Sequence, residues 1–512
     1  MGRACAGHEA LGDLRREHLL SVRNTLAYSE NLIGSALVAA PVQWLSGNAV
    51  LTMNAVALVS VVLCGLGAYV LARRMGLSTG AALICGIVFA FSPARFFHFP
   101  QLHLTPLQWI PLTLASLHAY FERGRTRDLR LALAFFTMQA LSSLHGVVFL
   151  IVGVAVFLTH RTMLGEPVAL KQRLRDVGAA GALLLMPPLA LIWPYLRAQR
   201  EMGLVRQLVD WVPTRESFLA SPTHAHSWVI SQVADTTINQ RANAFLFPGY
   251  VPIVLAVVAL FAIRSSAYRR NVVLYAAIVL VALLLVVGPP LGIWPYVHWW
   301  PVLNFIRVPS RFFLLAMVGI AALAAIGFES LVAGVEPRRR VAAVVITGVL
   351  LVAEFATLPL PVSPYRVETP PADRWLSAQP KPFVVAEVPV APLERYHTTY
   401  MLHSMAHWQK TVHGYSGILP ALHARLYGEL RNFPDEASLR SLSEIGITFV
   451  VVHIDMYPPD EWPTVKRKLD DYAGRLALEY SDATGQVYRL VRPAPTAHLD
   501  MRTRPHTNAA SF

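Results

Sequence analysis

Two arginines, Arg307 and Arg311, lie four residues apart in the segment NFIRVPSRFF. If a helix begins there, side chains at this spacing lie on one helical face. A guanidinium is permanently charged, and its planar fork of N–H donors matches the oxygens of a phosphate group. The pair therefore predicts a site for an anionic lipid phosphate. The alternative is that each arginine only extends from a helix end into interfacial water and lipid headgroups.

A second basic cluster lies in the segment SPARFFHFPQLHLTPLQW, which contains Arg95, His98 and His103. Arg95 adds a permanent cation that suits the same kind of phosphate. His98 and His103, and His145 further along the chain, could each carry a proton or donate a hydrogen bond to a phosphate. For each histidine the alternative is a hydrogen-bonding residue at the membrane interface with no part in chemistry.

Glu30, in the segment NTLAYSENLIG, is the acidic residue that we favour as a catalytic base. It lies at the start of a predicted helix, where the Ser29 cap and the helix dipole would favour a carboxylate. Simple helix capping explains Glu30 equally well. A second acid, Glu354, falls inside a predicted membrane span, and we expect it to pair with a neighbouring helix rather than to perform chemistry.

The sequence contains no HExxH motif and no metal-ligand spacing of cysteines and histidines, so a protein-bound catalytic zinc is not expected. Its three cysteines, Cys5, Cys64 and Cys85, fit no disulfide framework. Glycine-rich phosphate loops, nucleophile elbows and dinucleotide fingerprints are also missing. No cofactor is therefore certain, although a divalent cation, Mg²⁺ or Mn²⁺, held by one or two carboxylates stays open.

Composition identifies the class of protein that must position these residues. The chain has 512 residues, of which 54% are hydrophobic and 15% charged, and its mean hydropathy is +0.45. Soluble proteins carry about 25% charged residues, so this is an integral membrane protein. The net charge of +13 would suggest a nucleic-acid partner in a soluble chain. Here the basic residues lie mainly in short loops between apolar segments, where they report membrane topology instead.

A membrane-spanning helix needs roughly 20 mostly apolar residues. Ten segments come close to that requirement, and we expect about ten transmembrane helices: 49–72, 79–96, 102–121, 129–143, 145–160, 178–197, 247–263, 271–289, 312–333 and 341–360. The fourth and fifth are separated by only a few residues around Ser143, so they are predicted to form a tight helical hairpin.

The distribution of lysine and arginine orients these spans, because cytoplasmic loops carry the excess of positive charge. The rule places the loops 198–246 and 290–311 and the tail from 361 outside the cytoplasm. It also places residues 1–48 outside, although nothing in them resembles a signal peptide. We therefore expect that the chain lacks a first transmembrane helix present in a full-length relative. The short apolar segment 31–45 reads as an interfacial or re-entrant helix.

Four regions follow: an extracytoplasmic segment 1–48, a transmembrane domain 49–360, an extracytoplasmic α/β domain 361–493 and a disordered tail 494–512. In the α/β domain, 382–390 and 446–456 are predicted strands, and LALEYSD and QVYRLV a closing strand pair. Segments 420–432, 436–445 and 460–474 are predicted helices. Residues 400–420, rich in histidine and tyrosine, are predicted to form either a sugar- or lipid-facing surface or an ordinary surface loop.

The segments NTLAYSENLIG, PARFFHFPQLHLTPLQW, SSLHG and RVPSRF, followed by a mixed domain, resemble the C-type membrane glycosyltransferases (the GT-C fold), in particular their uncharacterised bacterial members. The resemblance runs through 24–360. It implies inverting transfer of a sugar from a polyprenyl-phosphate carrier, with an acidic base in the first outer loop. On this pattern Arg307 and Arg311 match the late basic motif, and Arg95 with His98 would support the phosphate.

The leading hypothesis is thus a glycosyltransferase of the bacterial inner membrane, with a polyprenyl-phosphate-linked sugar as donor and a lipid, glycan or protein as acceptor. The family's first helix and its acidic base have no matching segment here, which leaves open an inactive, truncated chain. The main alternative is a non-catalytic polytopic protein of the same fold, either a lipid-glycan transporter or a cell-envelope assembly partner. Membrane lipids are expected partners in either case, and nucleic acid in neither.

Overall fold

The computed structural model describes residues 29–491 except 97, 100, 164–169, 202–212, 227–244, 289–290, 301–302, 307, 358–367, 391–393 and 415–420. Two compact units are present. One comprises Glu30–Val367, and the other has Glu368–Phe512 as its main part. Arg307 and the tail 494–512 lie outside the described residues.

The first unit is helical throughout its described part. Its helices are α1 (Ala36–Ser46), α2 (Ala49–Arg74), α3 (Thr79–Phe91), α4 (Pro93–Phe96), α5 (Trp109–Arg123), α6 (Thr126–Ser142), α7 (Leu144–Met163), α8 (Leu170–Glu201), α9 (Tyr250–Phe261), α10 (Ser266–Val286), α11 (Trp294–Val297), α12 (Phe313–Leu331) and α13 (Pro337–Phe355). A 3₁₀ turn, Ile33–Ser35, precedes α1, and another, Pro309–Phe312, precedes α12.

Four of the described helices are long and apolar enough to cross a membrane: α2, α7, α10 and the continuous segment Pro309–Leu331. Large apolar side chains such as Leu58 and Val62 on α2 are exposed on the surface of the unit. Such side chains suit contact with lipid better than contact with water. The sequence prediction of a helical membrane protein is confirmed to this extent. Each of the ten predicted spans contains a helix, whereas a count of ten crossings stays a prediction.

Local sequence explains where several helices begin and end. Asn48 caps α2 by accepting from Leu51 N at 3.0 Å, and Ser78 caps α3 by accepting from Ala81 N at 3.3 Å. Gly124, with a φ of 65°, ends α5 in a left-handed conformation. Between α6 and α7 only Ser143 is non-helical, and the two helices pack against each other. The predicted tight connection is therefore confirmed, whereas the antiparallel hairpin stays a prediction.

The core of the first unit is α12, whose membrane-length segment is 89% buried. It packs against α9, α10 and α3. Two glycines make these close approaches feasible. A Cβ on Gly319 would lie 2.9 Å from the carbonyl oxygen of Tyr275, and one on Gly327 would overlap the carbonyl oxygen of Leu255. Small residues allow helix backbones to approach in this way inside membranes.

The second unit is a mixed α/β domain. Its elements are α14 (Pro371–Ser377), β1 (Val384–Val388), α15 (Glu394–His403), β2 (Lys410–Thr411), α16 (Ala421–Leu430), α17 (Glu436–Ile445), β3 (Phe449–His453), α18 (Trp462–Asp471), β4 (Leu476–Ser481) and β5 (Gly485–Leu490). The sheet order is β2-β1-β3-β5-β4. Strand β1 runs parallel to β2 and β3, while β5 is antiparallel to both β3 and β4.

Both faces of this sheet are covered. Val450 and Val452 lie in one apolar cluster with residues of α16, α17 and α18. Phe449 and Val451 lie in another with Leu376 of α14. The predicted strands, the closing strand pair and the predicted helices are confirmed, as is a helix within 31–45. The two-residue strand β2 was not predicted, because its length is below any alternation signal.

The glycine contact between α12 and α9 gives a test of the fold. Gly327→Ala should lower the free energy of unfolding by about 1–3 kcal/mol, because the new methyl group meets backbone that cannot rotate away. Thermal unfolding in detergent would measure this loss. Gly348→Ala on α13 is the matched control, since a Cβ there meets nothing within 4 Å. An equal effect of the two substitutions would contradict the packing.

Candidate functional site

Four separate segments of the first unit meet at the start of α7. They are the residues around Glu30, the loop 98–108, the junction of α6 and α7, and the 3₁₀ turn Pro309–Phe312. The first of them packs tightly on α6, because a Cβ on Gly34 would overlap Ser142 Oγ. Asn31 Nδ2 also donates to the carbonyl oxygen of Ala140 at 3.3 Å. These contacts place Glu30 beside the end of α6.

The loop 98–108 is fixed by side chains that donate to its carbonyl oxygens. Arg95 NH2 donates to Thr105 O at 2.9 Å, and Arg95 NH1 donates to Ala90 O, at the end of α3, at 2.7 Å. Gln139 Nε2 donates to Pro106 O at 2.9 Å. Ser143 Oγ donates to His103 O at 2.5 Å. The loop that carries His98 and His103 is thereby tied to α3, α6 and the α6–α7 junction.

Glu30 lies at the amino end of α7. Its Oε2 accepts from Leu144 N at 2.8 Å and from His145 N at 3.4 Å. Gly146 N donates to Ser143 Oγ at 2.8 Å, so Ser143 caps the same helix. The first backbone N–H groups of a helix carry its partial positive charge. The carboxylate of Glu30 therefore stabilises α7, although it is far from that helix in sequence.

His145 links this carboxylate to Arg311. Its Nδ1 pairs with Glu30 Oε1, and its Nε2 lies 2.8 Å from Arg311 NH1. An arginine can only donate a hydrogen bond, so Nε2 of His145 must be the acceptor. The ring proton of the neutral imidazole is then on Nδ1, where it faces the carboxylate. The row Glu30–His145–Arg311 thus has one consistent order of donors and acceptors.

His103 and His98 lie beside this row. The rings of His103 and His145 are 5.5 Å apart between centroids. His98 Nδ1 hydrogen-bonds Gln101 Oε1 at 3.0 Å. Burial lowers the pKa of His98 to about 4, and the charges of Arg311 and Arg95 act in the same direction. His98 is therefore neutral at pH 7 and serves as a hydrogen-bonding group rather than as a cation.

Glu30, His103 and His145 also form a set that could hold a metal ion. One ligand atom from each residue lies within 4.8 Å of the other two. Two imidazoles and one carboxylate are a donor set for first-row transition metals, whereas Mg²⁺ prefers oxygen ligands. Of the cations that the sequence left open, Mn²⁺ suits this set and Mg²⁺ does not.

Among the residues singled out from the sequence, the structure brings Glu30, His103 and Arg311 together. His98 lies at their edge. Arg95 is deeply buried, and its NH1 and NH2 donate to carbonyl oxygens, so it positions the loop; its phosphate contact stays a prediction. The link from His145 to Glu30 was missed. The sequence feature that could have indicated this link is the position of His145 in the first turn of the helix after Ser142 and Ser143.

A second cluster of acids and histidines lies in the α/β unit. Burial raises the pKa of Asp373 to about 8, with the nearby Glu387 adding to the effect, and burial raises the pKa of Glu387 as well. The same cause lowers the pKa values of His403 and His407 to about 4. The segment 400–420 was expected to face outward, yet His407 and His413 from it are fully buried.

Comparisons with known proteins add little to this geometry. No family model matches the chain, and no curated protein matches its sequence. Among solved structures, the oligosaccharyltransferase AglB of Archaeoglobus fulgidus, in complex with an inhibitory peptide and a dolichol-phosphate, aligns with a TM-score of 0.44 and 11% identity. The alignment covers 93% of this chain and 66% of that one. A likeness at this level carries no argument about fold or function.

The capping contact predicts a stability difference between two substitutions of Glu30. Glu30→Ala should lower the free energy of unfolding by about 1–3 kcal/mol, because the N–H groups of Leu144 and His145 lose their acceptor. Glu30→Gln should cost less, since an amide oxygen can still accept. Thermal unfolding of the purified protein compares them. Glu122→Ala, at an exposed acid 3.8 Å from Arg270, is the control. Equal values for all three variants would exclude the capping contact.

Proposed function

We propose that the chain is a membrane glycosyltransferase that moves a sugar from a polyprenyl-phosphate-linked donor to the hydroxyl group of a lipid, glycan or protein acceptor. The observation that carries the proposal is the row Glu30–His145–Arg311 at the ends of helices in an apolar unit. A proton acceptor and a phosphate-binding cation are the two groups that such a transfer needs. Here they are in direct contact.

Arg311 serves the departing phosphate. Arg311 is partly buried and lies in the 3₁₀ turn Pro309–Phe312, just before α12. The next residue anchors this turn. Phe312 packs on Phe149 of α7 with ring centroids 5.1 Å apart. When the bond between the sugar and the phosphate breaks, the electron pair stays on the phosphate oxygen. A cation that moves from His145 to the phosphate at this step stabilises the charge as it develops. Arg307 is proposed to assist from four residues earlier.

His145 serves the acceptor. Its Nδ1–H faces the carboxylate of Glu30, which leaves the lone pair of Nε2 to accept a proton. As Arg311 shifts to the phosphate, Nε2 takes the proton of the attacking hydroxyl while the hydroxyl oxygen bonds to the anomeric carbon. Glu30 holds the ring in the required tautomer and stabilises the imidazolium that forms. Glu30 is thus proposed to act through His145 rather than as the base itself.

A cation held by Glu30, His103 and His145 would supply positive charge next to the same phosphate. It would occupy lone pairs that proton uptake by His145 requires, so the two uses exclude each other. We commit to proton uptake. Activity that survives treatment with EDTA agrees with this choice, whereas activity restored only by added MnCl₂ would assign these residues to the cation.

The proposal predicts the behaviour of variants in a donor-cleavage assay. Purified protein in nanodiscs is mixed with farnesyl-phosphate-linked mannose, glucose, galactose and arabinose, together with a total membrane lipid extract as the source of acceptor hydroxyl groups. The released farnesyl phosphate is measured by mass spectrometry. His145→Asn and Arg311→Ala should each lower the rate at least about 100-fold, as is typical for loss of a general base or a charge-stabilising donor. Glu30→Gln should be similarly impaired although its helix cap is retained. Glu122→Gln is the matched control.

The same assay separates the non-catalytic alternative. A transporter or assembly partner would bind farnesyl phosphate at Arg311 but would release none from any of the four donors. If wild-type protein binds farnesyl phosphate, and cleavage is absent or is unaffected by His145→Asn, the enzymatic proposal is wrong.

A further inference from the structure

Five buried or half-buried acids and histidines converge on one face of the sheet in the α/β unit: Asp373, Glu387, His403, His407 and His453. The alternation of side chains along the strands explains this arrangement. Val385 and Glu387 of β1 point to the same face as Phe449, Val451 and His453 of β3, and α14 covers that face. Asp373 is on α14. His403 is the last residue of α15, and His407 comes directly after the 3₁₀ turn Ser404–Ala406.

The distances within the cluster are short. His453 Nε2 lies 2.8 Å from Glu387 Oε2. His403 Nδ1 lies 3.9 Å from Asp373 Oδ2, and His407 Nε2 lies 3.8 Å from Asp373 Oδ1. The last two separations are too long for hydrogen bonds. One ligand atom each from Glu387, His403 and His453 lies within 4.8 Å of the other two.

The cluster leaves buried polar atoms unsatisfied. Asp373 and Glu387 are fully buried, and in the described part of the chain neither has a lysine or arginine partner. Both oxygens of Asp373 and the Oε1 of Glu387 have no hydrogen-bond partner there, and the same holds for His407 Nε2. Burying such groups without a partner is costly, and a cation bound beside the two carboxyl groups would remove that cost.

A buried acid elsewhere in the chain shows the contrast. Glu354 Oε1 hydrogen-bonds His226 Nε2 at 2.8 Å and also accepts from Tyr250 N. Its Oε2 accepts from Val251 N at 3.1 Å. Both oxygens of this structural carboxylate are therefore satisfied by the protein, as expected for a residue that pairs with a neighbouring helix. Among the described residues, the carboxyl group of Glu387 has one such partner, His453, and that of Asp373 has none.

We propose that Glu387, His403 and His453 bind a first-row divalent transition metal ion, with zinc as the best match to two imidazoles and a carboxylate. Two ligand atoms bound to one tetrahedral zinc ion are about 3.4 Å apart. The three side chains therefore need only small rotations to close on the ion. Asp373 Oδ2 lies 3.9 Å from His403 Nδ1, and a small further approach would let this carboxylate orient the metal-bound histidine.

The burial of the cluster points to a structural metal. Glu387 and His453 are almost inaccessible, and the side chain of His403 is only 12% exposed. A bound ion would join β1 and β3 to the last residue of α15, His403. Metal binding would then contribute directly to the stability of the α/β unit.

The test uses the full chain in detergent after removal of metals with EDTA. Zinc is added as ZnCl₂, uptake is measured by elemental analysis, and Co²⁺ replaces it for absorption spectroscopy. We expect this cluster to take up one zinc ion per chain and the unfolding temperature to rise when zinc is bound. The absorption spectrum of the Co²⁺ form should indicate nitrogen and oxygen ligands. Glu387→Gln and His403→Asn should each weaken zinc binding at least about tenfold, and Asp373→Asn by about 10–100-fold.

Two controls assign the metal to this cluster. His298→Asn, at a histidine that hydrogen-bonds Pro295 O, should leave zinc affinity unchanged. His145→Asn should also leave it unchanged, which separates this site from the one in the helical unit. Stripped wild-type protein that neither takes up zinc nor gains thermal stability from it would overturn the proposal, whether or not the variants fold. Wild-type zinc affinity in both Glu387→Gln and His403→Asn would do the same.

Discussion

A carboxylate at the amino end of a buried helix holds the candidate site together. Glu30 satisfies the first N–H groups of α7 with one oxygen and pairs with His145 through the other. Without that acceptor, the helix end would present unsatisfied donors in a low-dielectric setting. The same contact favours the tautomer of His145 that has its proton on Nδ1. In that tautomer Nε2 is a hydrogen-bond acceptor, so Arg311 can donate to it. Helix stability and the order of the chemical groups thus have one origin.

Much of this arrangement was accessible from the sequence, but unequally so. Residue types and helix-end positions were enough to select Glu30, His103 and Arg311. The spacing of apolar residues was enough to place β1, β3 and the tight connection between α6 and α7. The contact from Glu30 to His145 was not accessible, because the two residues are 115 positions apart and are brought together by tertiary contacts such as the packing of Gly34 on α6.

Burial explains the remaining differences. Arg95 has the charge and location of a phosphate ligand. Its guanidinium is buried, however, and donates to the carbonyl oxygens of Ala90 and Thr105. The histidine-rich segment 400–420 has the composition of a surface, yet His407 and His413 point into the domain. Composition cannot separate these cases, since the same polar side chain serves a solvent-exposed surface or a buried network. The strand partners and covering helices decide between them.

The tautomer of His145 is the measurement that tests the account most directly. Solid-state NMR of the protein labelled with ¹⁵N-histidine in lipid, with His145→Asn used to assign the signal, reports which ring nitrogen carries the proton. The account predicts a neutral ring at pH 7 that is protonated on Nδ1, because Arg311 can only donate to Nε2. A proton on Nε2, or on both nitrogens, would contradict the row from Glu30 to Arg311 and the proton acceptor derived from it.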